Sequence, residues 1–222
     1  MASGDLTFRY LNSAIIVATC ALTCATPASA QTAPATAIPP PAKPWSFFAS
    51  AYTYIIPDDS NYAQPTFTAD RGRIHLEARY NYEAQQTGSV WFGLKFSGGE
   101  TVEWELTPII GGVFGDLDGI APGYKGSITW RKVSFYSESE YVIDTANASD
   151  SFLYNWSELT YGITESLRAG LVVQRTRAYQ TDRDVQRGLI VGYSYRRAEF
   201  TFCLFNPDDD KPTSAFSVGF HF

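Results

Sequence analysis

The residues able to do acid–base or ligand chemistry are few and regularly spaced. There are two histidines, His75 and His221. A hydrolase built on a hydroxyl nucleophile needs such a base within reach of the nucleophile and held by an acid. Neither histidine stands beside a Ser or Asp in a hydrolase-like motif. The glutamates fall two apart, as Glu103 and Glu105 and as Glu138 and Glu140. That spacing puts each pair on one face of a β-strand. Asp116-Leu117-Asp118-Gly119 and Asp208-Asp209-Asp210 could offer carboxylates to calcium. The first lacks the distal Glu of a calcium loop, and acidic loop tips are ordinary solvated turns. No G-x-G-x-x-G, Walker or C-x-x-C pattern occurs. The chain reads as a protein with no catalytic residues, no metal site and no cofactor, whose charges line a surface.

Composition narrows the class. Of the 222 residues, 45% are hydrophobic, 15% aromatic and 18% charged. An ordinary soluble domain carries about 25% charged residues. The net charge of −6 argues against nucleic acid as a partner, because phosphate contacts need clustered cations. The apolar content argues against disorder. After the N-terminus no apolar run approaches the ~20 residues of a spanning helix.

The elements that must position the charges begin after an address. Residues 1–30 read as a cleaved secretory signal, with the apolar core 14–22 and the small-residue site Ala28-Ser29-Ala30 ahead of Gln31. Thr19 and Thr23 precede Cys20 and Cys24, where a lipoprotein signal wants a smaller residue. Cys203 would then be the single cysteine left, and reads as a small buried hydrophobe. Residues 31–44, QTAPATAIPPPAKP, form a Pro/Ala-rich linker without a core of its own. One folded domain, 45–222, remains.

From Trp45 the pattern has period two. In 73–83 the even positions are Ile74, Leu76, Ala78, Tyr80 and Tyr82, and the odd positions are charged or polar. Alternate side chains of a strand point to opposite faces, so each such run is a strand with one apolar face. The same alternation marks 89–97, 100–106, 124–131, 133–143, 167–173, 189–195, 198–204 and the C-terminal strand. Tight turns such as Arg131-Lys132 and Arg196-Arg197 alternate with longer loops: 84–88, 111–122, 144–151, 181–184 and 206–212. Short turns at one end and long loops at the other describe an all-β, antiparallel, up-and-down transmembrane β-barrel. The count is twelve strands if 64–70 is one of them, and ten if it is a loop.

A soluble sandwich or ligand-binding barrel also alternates, with its apolar face as core. The aromatics on the apolar face shift the balance. Tyr80, Tyr82, Trp104, Trp130, Tyr161, Tyr193, Tyr195 and Phe222 stand near strand ends, as in the interfacial girdles of membrane barrels. The C-terminal strand, 213–222, ends in Phe222. It resembles the last strand of Gram-negative outer-membrane barrel proteins, and 45–222 resembles them in general architecture. The resemblance implies insertion into the cell outer membrane, with Phe222 in the signal read by the barrel-assembly machinery. It also implies contact with outer-membrane lipid and lipopolysaccharide. It names no activity.

With the apolar face outward, the lumen receives Arg73, His75, Glu77, Arg79, Lys95, Glu103, Glu105, Lys125, Glu138, Glu140, Glu158, Arg168 and Glu199. That is five Lys or Arg against seven Glu. Cross-strand pairing among them is expected, since Glu103 and Glu105 follow Lys95 across one tight turn. Two functions fit: a small porin-like channel with a slight cation preference, or a closed structural barrel. Arg175, Arg177, Arg183 and Arg187 cluster around 176–184 and could meet lipopolysaccharide phosphates or pair with Asp182 and Asp184.

Overall fold

The computed structural model describes residues 44–175 and 185–222. The signal, nearly all of the linker, Arg177, Arg183, Asp182 and Asp184 lie outside the described residues. Strand segments follow one another along the chain: β1 Ser46–Ile55, β2 Tyr62–Arg71, β3 Ile74–Tyr80, β4 Thr87–Leu94, β5 Phe96–Gly98, β6 Val102–Gly115 and β7 Gly119–Trp130. After them come β8 Val133–Asp144, β9 Phe152–Gly162, β10 Leu167–Arg175, β11 Val185–Tyr195, β12 Ala198–Phe205 and β13 Thr213–His221.

Neighbours in sequence pair antiparallel, β1 pairs β13, and β4 and β5 both lie against β6. β4 and β5 are therefore one strand interrupted at Lys95, whose N–H donates to the Arg73 carbonyl at 2.7 Å. The wall is a closed barrel of twelve strands, with 64–70 inside β2. The seam is held partly by Phe47 and Phe222, whose backbones exchange two hydrogen bonds of 3.0 Å. An even number of strands returns both termini to the same end. That end carries the short turns, with Gly72, Arg131 and Arg196 at positive φ.

The sequence forms this wall because its alternation matches the pleat. Leu106, Ile110, Ile128, Leu171 and Phe216 point outward, each between 45% and 56% exposed. In a water-soluble protein a band of such residues around the whole circumference would be buried. Their immediate neighbours Thr107, Ile109, Val172 and Ala215 point the other way and are buried inside.

Three expectations are corrected. The stretch 111–122 is not a long loop: β6 and β7 run through it, leaving only 116–118 as the turn. It hides its alternation because both faces are apolar there, with Ile109, Val113 and Ala121 inside and Ile110, Phe114 and Ile120 outside. Tyr82 is not part of the outer face. β3 ends at Tyr80, and Asn81 takes φ 56°. The Asn81 side-chain oxygen accepts the Gln86 N–H at 2.7 Å, which closes the loop and turns Tyr82 inward. Arg73 does not line the lumen. It follows Gly72 in an exposed turn, and its guanidinium lies 5.5 Å from the centre of the outward Phe96 ring.

Candidate functional site

One wall of the lumen carries a continuous chain of ion pairs. At the short-turn rim Lys95 lies 3.5 Å from Glu105 and 3.6 Å from Asp70. Asp70 meets His75 Nδ1 at 2.8 Å, and His75 Nε2 meets Glu77 at 3.0 Å. Glu77 also takes Lys125 at 2.7 Å and Arg79 Nε at 2.8 Å. Arg79 Nη1 continues to Glu140 at 2.8 Å and lies 3.5 Å from Glu83. Glu138 accepts from the hydroxyls of Tyr82 and Tyr136 and lies 3.4 Å from Lys125. The deeper groups, Glu77, Arg79, Glu83, Glu138 and Glu140, are all buried. Charges so far from bulk water persist only when paired and hydrogen-bonded.

Strand phase puts the network together. His75, Glu77 and Arg79 are alternate residues of β3, Glu138 and Glu140 of β8, and Lys125 sits opposite Glu138 on β7. Aromatic faces complete it. The Arg79 guanidinium lies 4.3 Å from the Tyr82 ring centre and 4.6 Å from that of Trp91. Gly111, opposite Trp91 on β6, makes room for this, since a side-chain carbon there would overlap the indole.

A second, shorter pairing lies on the adjoining strands β9 and β10. Arg168 donates to Glu158 at 2.6 Å, and the Trp156 indole N–H donates to the same carboxylate at 2.8 Å. At the short-turn mouth, Glu199 is exposed and meets His221 at 2.8 Å, and Glu103 is exposed at the rim. Arg187 pairs with Asp208 at 2.9 Å on the long-loop side.

The interior is unevenly filled. At the short-turn end a vestibule of about 1070 Å³ opens, lined by Arg131, Ser134, Glu158, Arg168 and Glu199 among others. It shares Phe48, Tyr136 and Glu158 with a central cavity of about 190 Å³. Towards the long loops the described residues pack a core inside the barrel. Tyr54, Tyr154, Trp156, Ile190, Cys203 and Phe205 form one cluster, and Trp91, Ile109, Val113 and Val142 another.

Two solved structures share this architecture. The KdgM porin aligns over 79% of this chain and 99% of its own, with 10% identity and a TM-score of 0.58. The KdgM porin in complex with disordered oligogalacturonate aligns over 80% and 99%, with 10% identity and a TM-score of 0.54. The fold is that of a porin-like β-barrel. No family model and no curated protein matches the sequence. The lumen is therefore read from its own residues.

Of the residues expected in the lumen, His75, Glu77, Arg79, Lys95, Glu105, Lys125, Glu138 and Glu140 meet in the network, Glu158 and Arg168 in the second pairing, and Glu103 and Glu199 stand at the rim; Arg73 joins none of these. The sequence reading missed the inner aromatics Tyr52, Tyr54, Tyr136, Tyr154 and Trp156. The signal was available: Tyr136 and Trp156 stand two residues before Glu138 and Glu158, in phase with them.

Proposed function

We propose that this chain is a narrow, non-enzymatic outer-membrane channel for small polar solutes, resting in a closed form. The observation that carries the reading is the run of paired charges from Lys95 and Glu105 at the rim to Glu83 and Glu140 in the interior, beside a wide vestibule. A purely structural barrel can be filled with apolar side chains at less cost than with buried ions, which lose hydration. Both structural neighbours carry the name porin, which favours a channel over an enzyme. The lumen carboxylates Glu77, Glu83, Glu138, Glu140 and Glu158 outnumber Arg79, Lys125 and Arg168, so the preference is for cations. The ligand named for one neighbour, an oligogalacturonate, is a polyanion that this lumen would repel. The cleaved signal, insertion through the Phe222 strand by the barrel-assembly machinery, and contact with lipopolysaccharide belong to the same reading.

A closed structural barrel is the second reading, and the packed cluster around Tyr54, Tyr154 and Phe205 favours it. Single-channel recording in planar bilayers separates the two. Steady, salt-dependent steps support the channel. Silence from a folded, heat-modifiable barrel supports the closed one.

A further inference from the structure

The central cavity differs from the rest of the lumen in what lines it. Its wall presents the rings of Tyr52, Tyr82, Tyr136 and Trp156 beside the carboxylates of Glu138 and Glu158. Glu77 adds a third carboxylate, and Lys125 is the one lysine or arginine on its wall. An aromatic face carries negative charge and attracts a cation within about 6 Å of its centre. The protein already uses this recognition mode next door. Arg79 lies between Tyr82 and Trp91 with Glu77 and Glu140 at 2.8 Å, and Tyr82 belongs to both that sandwich and the cavity wall.

We propose that the central cavity is a binding subsite for a small organic cation. A guanidinium or substituted ammonium group would face Glu138 and Glu158, with its apolar part against Tyr52 and Trp156.

Size, charge and access support that class over others. At about 30 Å³ per water, the 190 Å³ cavity holds the equivalent of about six waters. That suits a compact ligand. An anion would face three carboxylates, and the nearby cations, Lys125 on the wall with Arg79 and Arg168 behind it, are already paired to them. A neutral sugar would use the rings but gain nothing from the charge. A bare metal ion would need a set of close ligands, and no group of three or more His, Cys, Asp or Glu suited to one occurs among the described residues. The vestibule adjoins the cavity through Phe48, Tyr136 and Glu158, which gives the ligand a path. As a transported solute the cation rests on the channel reading; as a ligand it does not.

The test is a titration of the refolded chain in detergent, read by calorimetry and by tryptophan fluorescence. Tetramethylammonium and methylguanidinium are the probes, with sodium chloride at matched ionic strength and glucose as controls. Saturable binding of either probe, absent with sodium and glucose, is the expected result. Glu158→Gln and Tyr52→Leu should each weaken it about tenfold, while Tyr52→Phe keeps the ring and the affinity. Heat-modifiable migration on gels checks that each variant folds. No saturable response, an equal response to sodium or glucose, or unchanged affinity in folded Glu158→Gln and Tyr52→Leu would each overturn the proposal. Binding without conductance keeps the subsite and removes the channel. Conductance without binding does the reverse.

Discussion

Arg79 and Glu140 are 61 residues apart in the chain and meet at 2.8 Å inside the barrel. The contact links β3 to β8, which are separated around the wall by the β4–β5 strand, β6 and β7. No strand pairing brings these two residues together. Only the closure of the barrel does, so the pair reports on the closed form of the lumen.

Removing the cation should therefore cost more than an ordinary surface change. Arg79→Met leaves Glu77, Glu83 and Glu140 facing one another without their shared partner. Breaking a buried pair from one side costs about 3–5 kcal/mol. The expected outcome is a lowered urea midpoint for unfolding in detergent. Adding Glu140→Gln to Arg79→Met should recover part of the loss, and strict additivity of the two changes would count against the pairing.

The glycines of β6 make a sharp comparison. Gly111→Ala should push the Trp91 indole off Arg79 and destabilise the barrel by about 1–3 kcal/mol, the usual cost of overpacking. Gly112→Ala, one residue along, meets nothing within 4 Å and should change stability by under about 0.5 kcal/mol. Unfolding midpoints of the two variants, measured side by side, check this.

The exposed pairs at the long-loop end should matter little. Lys211 with Asp58 and Arg187 with Asp208 are all more than half exposed. Lys211→Ala and Arg187→Ala should each cost under about 1 kcal/mol. The same measurement checks them, and a loss comparable to that of Arg79→Met would show that the loops act as more than solvated caps.

Conduction should respond to charge at the rim and to bulk further in. Glu105→Gln removes one of the two carboxylate partners of Lys95 at the mouth and should lower cation preference, read as a reversal-potential shift in a salt gradient. Tyr154→Ala thins the packed cluster beside Tyr82 and should raise unitary conductance. Unchanged currents in both would place the conducting path elsewhere.

Much of the wall was written locally. Period-two alternation marks β3, β8 and β12 so strongly that strand, face and lumen charge follow from the pleat alone. The same logic fails at 111–122, where apolar residues on both faces erase the alternation. It fails at Tyr82, where the positive φ of Asn81 changes the phase after β3. It places Arg73 inside, although the turn after Gly72 carries that residue to the rim.

The sequence by itself determined an antiparallel barrel of twelve or ten strands, its outward apolar side and most of its inward charges, because each depends on neighbours a few residues apart. The tertiary structure decided which charges meet and where the lumen narrows. Those contacts cross the barrel between strands far apart in the chain. Alternation says that Tyr54, Tyr154 and Phe205 point inward, but only closure into a barrel of this circumference brings them close enough to pack.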